Sequence, residues 1–379
     1  MRQMAYMPFF TIQGRTPRER GADYGSQCRE LIGGVLERYM TFFNSGHAAV
    51  SWDDAREISK KFLPFIEAYS PELLEELRGV AEGSGASFDD LLTLNSRSEA
   101  MTLVRRPASD EEELDGCSSV AVLPEASADG HTILAQNWDT YTWQEYGTVI
   151  LQVLKDGGAD MMIVTEAGQL ARYGMNQAGL ALGVNSLHKT SNTKVFGVPS
   201  VFVRRKFLEQ DRYVDAVNKI FGAEAMLPMY YAAAYGAGDA MGFEKLARGQ
   251  LVLYPENGLI SHSNHIKHPK YGYQVDALGG TLYRDRRILR RLAPKAGAIT
   301  RADIIEAFKD HFGFPFSVCR HGDERKKELD KISTLGCIVM DATDKRLWAC
   351  KGTPCCGQFR EYAWDRPAKL AQWSGAVEW

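Results

Sequence analysis

The order of apolar and polar positions along the chain changes period at two places. From Thr16 to about Met101 the period is helical. Thr16-Pro17-Arg18-Glu19 forms a capping box with proline in the first helical turn. Behind it Leu31, Ile32, Val35, Leu36, Tyr39, Met40 and Phe43 recur at helical spacing, which predicts one long amphipathic helix. Ser51-Trp52-Asp53-Asp54, Ser70-Pro71-Glu72 and Ser87-Phe88-Asp89-Asp90 each place an N-cap residue and early acid before an apolar-periodic run, so three more helices are expected. Residues 103–116, LVRRPASDEEELDG, have neither period and carry a charge run, and they read as an exposed connector.

Strand-like runs begin at Cys117. They cover 117–123 and start again at 131 (HTILAQ), 148 (TVILQVL), 161 (MMIVT) and 180 (LALGVN). Ala128-Asp129-Gly130, Asp156-Gly157-Gly158 and Asn176-Gln177-Ala178-Gly179 supply the turns between them, so a meander of antiparallel strands is predicted. Helical pattern returns at 198–226, at 282–294 and behind the capping box Thr300-Arg301-Ala302-Asp303. Further strands are expected at 250–254, 336–341 and 346–350. Strands and helices in separate runs point to an α+β fold, with sheets covered by helices rather than a parallel βαβ sheet.

Composition narrows the partners more than the fold. The 379 residues are 45% hydrophobic and 25% charged, the balance of a soluble globular chain. A net charge of -3 and a pI near 6.3 give no electrostatic reason for a nucleic acid or an anionic membrane as partner. No apolar run reaches the ~18 residues of a membrane span, and MRQMAYMPFFTIQG is too short in its apolar part for a signal peptide. A cytoplasmic location is therefore expected. Seven scattered cysteines with no CxxC pair suit reduced thiols better than a disulfide framework.

Candidate chemistry centres on residues 111–124, EEELDGCSSVAVLP, where a glycine and a cysteine stand between an acidic loop and a strand. A thiol at Cys117 can attack the Gly116 carbonyl, since glycine has no Cβ to block the approach. Transfer of the acyl group to sulfur frees an α-amine, which titrates at about 7.7 to 8.0, and hydrolysis of the thioester restores the thiol, so nucleophile and base come to share one residue. Asp139 follows the second strand, and a hairpin returns it toward Cys117, where a carboxylate would hold the new ammonium. Asn185 and Asn264 are neutral donors of the kind an oxyanion hole needs. Arg284, Arg286 and Arg287 lie within one helical turn, and spacing does not choose among them. His262, His265 and His268 suit a loop as readily as a ligand set, with no HExxH companion, so no metal is expected.

Taken in order, Asp115-Gly116-Cys117-Ser118-Ser119, Gln136-Asn137-Trp138-Asp139, Gly174-Met175-Asn176 with Ala178-Gly179-Leu180, and Asn185 form a recognisable series. His262-Ser263-Asn264-His265, the arginines at 284–287 and Ser317-Val318-Cys319-Arg320-His321 continue it, as does VAEGSGASFDDLLTLNSRSE upstream. The series resembles the family of penicillin acyl-CoA acyltransferase and β-alanyl-dopamine hydrolase, the C45 peptidases among the N-terminal-nucleophile (Ntn) hydrolases, over nearly the whole chain from Thr16 to about Phe359. The resemblance implies a four-layer αββα sandwich, two antiparallel sheets between helical layers, made as a precursor that cleaves itself between Gly116 and Cys117. Residues 1–116 would form the released α-chain and 117–379 the catalytic β-chain, the two fragments staying associated in one unit.

The same resemblance makes Cys117 the nucleophile, Asp139 the anchor of its amine, Asn264 the side-chain oxyanion donor and Asn185 a second donor or substrate contact. Arg284 would steady the nucleophile, with Tyr141 and Arg287 as further substrate-binding candidates. The activity implied is an amidohydrolase or acyltransferase that takes a small amide or acyl donor and passes the acyl group to water or an amine. No cofactor is implied, acyl-CoA entering only as a substrate. The alternatives are an acyl-CoA-dependent N-acyltransferase of a secondary-metabolite pathway and a non-cleaving binding protein of the Ntn fold. Two departures stand out: serines at 118 and 119 where the penicillin enzyme has threonines, and a C-terminus, AVEW, without a peroxisomal tripeptide.

Overall fold

Thr16 starts the first helix as its capping box requires, its hydroxyl accepting from the Glu19 amide while the Glu19 carboxylate accepts from the Thr16 amide. The structure, a computed structural model, describes residues 6–48, 50–104, 116–187, 196–246, 249–271 and 280–364. Most of the expected connector, residues 105–115, lies outside the described residues. No described helix is long and apolar enough to cross a membrane.

The single long helix expected behind Thr16 is instead two, α1 (Pro17–Gln27) and α2 (Arg29–Asn44), divided at Cys28. The reason is tertiary. Gly21 and Gly25 of α1 lie against the backbone of Glu76 and Val80, so closely that a Cβ on Gly21 would fall 1.9 Å from the Glu76 carbonyl oxygen. Helix α1 is thereby fixed against α5 (Pro71–Ser84), whereas α2 turns away to pack on the aromatic segment around Trp143 and Tyr146. Between them run α3 (Trp52–Lys60) and α4 (Leu63–Tyr69), followed by α6 (Phe88–Val104). The short helix α4 has no N-cap side-chain bond, which is why it left no start signal.

Two sheets follow. The larger contains eight strands in the order β1 (Phe9–Ile12), β4 (Thr148–Val153), β5 (Met161–Glu166), β6 (Tyr173–Asn176), β7 (Leu180–Ser186), β8 (Met229–Tyr235), β9 (Asp239–Lys245) and β10 (Gln250–Leu253). The smaller contains six in the order β11 (Leu259–His262), β2 (Gly116–Val122), β3 (Ile133–Tyr141), β12 (Ile332–Asp341), β13 (Arg346–Lys351) and β14 (Arg360–Tyr362). The expected meander is thus divided after its second strand: β2 and β3 belong to one sheet, β4 to β7 to the other. The pairs are antiparallel except β1 with β4, which is parallel and ties the N-terminal segment to the edge of the larger sheet.

Strands β8 and β9 gave no alternating signal. MYYAAAY is buried almost throughout in the middle of the larger sheet, and a strand covered on both faces reads as an unbroken apolar run. The helical pattern expected over 198–226 resolves into α7 (Ser200–Leu208) and α8 (Tyr213–Gly222), and α9 (Thr281–Leu292) and α10 (Arg301–Phe308) follow later.

The layers follow from which side chains meet. Ala121, Leu134, Trp138, Ile338 and Met340 of the smaller sheet join Val164, Leu182, Val184 and Ala232 of the larger in one core, which also takes in the buried faces of α1 to α8. Val120, Val122, Ile133, Ala135 and Val339, on the other face of the smaller sheet, pack against Ile288, Leu292, Ile304 and Phe308 of α9 and α10. The result is a four-layer αββα arrangement. Gln136 links the two sheets like a short strand: its amide nitrogen donates to the Val184 carbonyl at 2.6 Å and its oxygen accepts from the Val184 amide at 2.9 Å.

Candidate active site

The β2–β3 hairpin sets the frame of the site. Its register places Gly116 opposite Asp139 and Cys117 opposite Trp138, so the acid expected beside Cys117 stands beside the preceding glycine. Side chains alternate across a strand, and Cys117 therefore aims its thiol between the sheets while Asp139 faces the helices α9 and α10. On the opposite edge of β2, strand β11 pairs His262 with Ser119, and the chain leaving β11 carries Asn264 back to Cys117. Asn185 fixes that exit by donating its amide hydrogens to the carbonyls of His262 and Ser263, at 3.0 and 2.9 Å.

Cys117 is only 4% exposed. Its backbone amide donates to Asn264 Oδ1 at 3.0 Å, and its Sγ lies 3.6 Å from the Tyr173 hydroxyl. Arg284, fully buried, donates through Nη1 to the Cys117 carbonyl at 2.9 Å and through Nη2 to Asn264 Oδ1 at 2.7 Å. Because an arginine and an amide N–H can only donate, the Asn264 atom between them must be its oxygen. Its amide nitrogen then points to Ser186, donating to that residue's carbonyl at 2.9 Å. In this form Asn264 presents an acceptor to Cys117, and a donor role toward an oxyanion requires the Ser186 bond to be exchanged.

Helix geometry separates the three arginines that spacing left open. Arg284 lies on the buried stripe of α9 with Thr281, Asp285, Ile288 and Leu292, and its Nη1 comes 3.6 Å from Asp139 Oδ2. Arg286 is exposed. Arg287 turns to Asp310, with 2.7 Å from its Nη2 to Oδ2, and its guanidinium covers the Phe312 ring, so the structure does not bring it to Cys117. Tyr141 is likewise elsewhere: it is half-buried in an aromatic group, 4.9 Å from the Phe42 ring and stacked on Trp143 at 5.9 Å.

Asp139 accepts from the Thr334 hydroxyl at 2.7 Å. Thr334 in turn accepts from the Arg320 amide at 3.0 Å, and this connects the site to a residue given no role in the sequence reading. A Cβ built on Gly116 would lie 2.8 Å from Arg320 Nη1 and 3.0 Å from Asp139 Oδ2. Nothing larger than glycine fits between these two charged groups without moving one of them. The sequence held Arg320 in the Ser317–His321 motif, but only folding shows that it meets Gly116.

The thiol side has its own wall, which the sequence did not disclose. Arg172 lies over the Trp138 ring, 4.3 Å from its centroid, and hydrogen-bonds Tyr173. Burial, with the neighbouring Cys117 adding to it, raises the Tyr173 phenol well above its ordinary range, so it stays neutral. Burial and the adjacent Arg172 lower Arg204. The Tyr173 hydroxyl beside the thiol is thus set among the Trp138 ring, Arg172 and Arg204. A recess of about 580 Å³, lined by Ile32, Leu36 and Met40 on α2, shares no residue with this constellation.

The three histidines weighed as metal ligands are committed separately. His262 Nε2 is 2.9 Å from Glu244 Oε1 in a fully buried pair, His265 Nδ1 is 3.1 Å from the Thr281 hydroxyl, and His268 accepts from the Lys270 amide.

Comparison with known proteins matches residues 126–355, more than half of the chain, to the family described as Acyl-coenzyme A:6-aminopenicillanic acid acyl-transferase. A protein of Emericella nidulans named acyl-coenzyme A:6-aminopenicillanic-acid-acyltransferase 40 kDa form is 27% identical over 350 residues, 91% of this chain and 92% of that protein. Among solved structures, an N-acylethanolamine-hydrolyzing acid amidase ortholog of Caenorhabditis elegans is 15% identical with a TM-score of 0.44, covering 60% of this chain and 93% of that one. Penicillin V acylase of Agrobacterium tumefaciens is 14% identical with a TM-score of 0.41, covering 62% and 83%.

Proposed function

The chain belongs to the acyl-coenzyme A:6-aminopenicillanic acid acyl-transferase family, and from that premise we propose that it is a self-processing enzyme of acyl transfer or amide hydrolysis with Cys117 as nucleophile. The observation that carries the reading is the double engagement of Cys117: its amide is held by Asn264 Oδ1 and its carbonyl by Arg284, while Asp139 and Arg320 leave room only for a glycine at 116. The atoms on both sides of the Gly116–Cys117 bond are thereby fixed, which is what an intramolecular attack needs.

In maturation the Cys117 sulfur adds to the Gly116 carbonyl carbon, the C–N bond breaks, and the amide nitrogen keeps the proton that leaves the thiol. Breaking that bond frees the Cys117 α-amine, and water then hydrolyses the thioester, releasing a Gly116 carboxylate and returning the Cys117 thiol. In turnover this amine takes the thiol proton, and the thiolate attacks the substrate carbonyl to form a thioester acyl-enzyme. The ammonium returns its proton to the departing group. Water or an incoming amine resolves the acyl-enzyme by the same steps reversed.

Each side chain has a task in this scheme. Asn264 Oδ1 orients the amine, and Arg284 holds that oxygen in place. Asp139, beside the cut bond, offsets the positive charge that appears there. Asn264 Nδ2 becomes an oxyanion donor once it exchanges its bond to Ser186. We favour hydrolysis of a small amide; transfer of an acyl group from acyl-CoA to an amine is the second reading, supported by the name of the Emericella nidulans relative.

The test is an intact-mass spectrum of the wild-type chain beside Cys117→Ala, followed by product analysis with N-acyl amides and acyl-CoAs, each with and without an amine acceptor. Two fragments meeting at Gly116 and Cys117 in the wild type alone, and acyl release that needs them, are expected. A single full-length mass in both proteins, or an active alanine variant, removes Cys117 from the role. The ratio of free acid to amide product then separates hydrolysis from transfer.

A further inference from the structure

Away from Cys117, the fold gathers His311, Cys319 and His321 of one segment and Cys355 of another, with their four donor atoms all within 4.8 Å of one another. His311 follows α10, Cys319 and His321 flank Arg320 on the way to β12, and Cys355 lies in the turn after β13. His321 Nε2 is 3.6 Å from Cys319 Sγ, 3.6 Å from Cys355 Sγ and 3.1 Å from His311 Nε2. One ring nitrogen has either a single hydrogen or a single lone pair, so it cannot satisfy three such neighbours by hydrogen bonding.

The distances have another source. Ligands of tetrahedral zinc, at about 2.3 Å for sulfur and about 2.0 to 2.1 Å for nitrogen, stand roughly 3.6 Å apart for a sulfur–nitrogen edge and roughly 3.3 Å for a nitrogen–nitrogen edge. The two sulfur–nitrogen distances to His321 match, and the nitrogen–nitrogen distance is slightly short. Two thiols and two imidazoles are also the donor set that selects zinc over harder cations.

We propose that Cys319, Cys355, His311 and His321 bind one zinc ion in a closed tetrahedral site. With four protein ligands no position is open to water, so the site is structural rather than catalytic. It joins the segment 310–321 to the turn between β13 and β14. That segment is already folded on itself, the Cys319 amide donating to the Asp310 carbonyl and the His321 amide to the Pro315 carbonyl, both at 3.0 Å. Arg320, between two of the ligands, is thereby held where its guanidinium meets Gly116. The absence of a CxxC pair hid this site from the sequence, since no two of its cysteines are near neighbours along the chain.

The measurement is zinc content by elemental mass spectrometry after dialysis against metal-free buffer, in the wild type, Cys117→Ala, Cys355→Ser, His311→Ala and Cys356→Ser. Cys117→Ala makes the result independent of self-cleavage and of the proposed enzyme activity. Expected is a molar ratio near one in the wild type, Cys117→Ala and Cys356→Ser, loss of zinc in Cys355→Ser, and a drop in affinity of roughly tenfold or more in His311→Ala. A chelator should lower the melting temperature of the wild type and leave that of Cys355→Ser unmoved. A wild-type chain without zinc even after purification in added zinc overturns the proposal. So does zinc retained in Cys355→Ser, or a Cys319–Cys355 disulfide found by peptide mapping.

Discussion

Arg284→Met, made in the Cys117→Ala chain so that a single covalent species is compared, removes a guanidinium with no solvent exposure. Its charge-assisted hydrogen bonds to the Cys117 carbonyl and Asn264 Oδ1 are lost, with the longer ones to the Ser118 hydroxyl and the Gly280 carbonyl. Asp139, also fully buried and 3.6 Å from Arg284 Nη1, loses one of the two cations near it and keeps Arg320 across Gly116. Breaking a buried pair by deleting one partner costs about 3 to 5 kcal/mol, because the remaining charge cannot return to water. Asp139 keeps the Thr334 hydroxyl, so the lower part of that range is expected, about 3 kcal/mol. Adding Asp139→Asn removes the carboxylate that Arg284 no longer faces, and the double variant should recover about 1 to 2 kcal/mol relative to the sum of the two single losses. Arg287→Met is the control: Arg291 also reaches Asp310, and the loss should be clearly smaller. Urea unfolding followed by tryptophan fluorescence and circular dichroism reads all four. A loss under about 1 kcal/mol for Arg284→Met, or strict additivity in the double variant, would refute the buried pair as an energetic unit.

Gly116→Ala should cost about 1 to 3 kcal/mol and slow self-cleavage strongly, since its Cβ would displace Arg320 or Asp139 from the bond to be cut. A time course of intact mass checks this, and a wild-type cleavage rate counts against the assigned geometry. His265 sets a pH dependence. Burial pushes its imidazole down to about 4, with Asp285 pulling upward and His262 and Lys267 adding to the depression. The unfolded chain takes up this proton as pH falls below about 6.5, whereas the folded chain waits until about 4. The unfolded state therefore binds more protons across that window, and stability falls from pH 6.5 to pH 4 by at most about 3 kcal/mol. His265→Gln should flatten that part of the profile; an unchanged slope assigns it to other groups.

Much of the architecture is written locally. The capping boxes at Thr16 and Thr300 start their helices from a hydroxyl and a carboxylate three residues apart, and no distant residue is needed. The alternation and turns from 117 to 186 set most of the strands, and the glycine–cysteine step at 116–117 marks the candidate chemistry, because these depend on period and on the chemistry of adjacent groups. The division of that meander between two sheets was not local, since β2 finds β11 and β3 finds β12 from far along the chain. Strand β8 was hidden because burial on both faces removes the alternation by which strands are read.

The site shows the same limit at the level of single residues. Sequence brought Cys117, Asp139, Asn264 and the arginines of α9 into consideration, but three arginines within one turn are equivalent until something packs against the helix. The smaller sheet does so, and it buries Arg284 while leaving Arg286 in solvent and Arg287 on Asp310. Arg287 drops away from Cys117 for the same reason, Tyr141 joins the rings of Phe42 and Trp143 instead, and Arg320 and the His311–Cys355 cluster come into view. Residue types and local periods are fixed by the chain itself, whereas the meeting of groups hundreds of positions apart is fixed by which faces the layers bury.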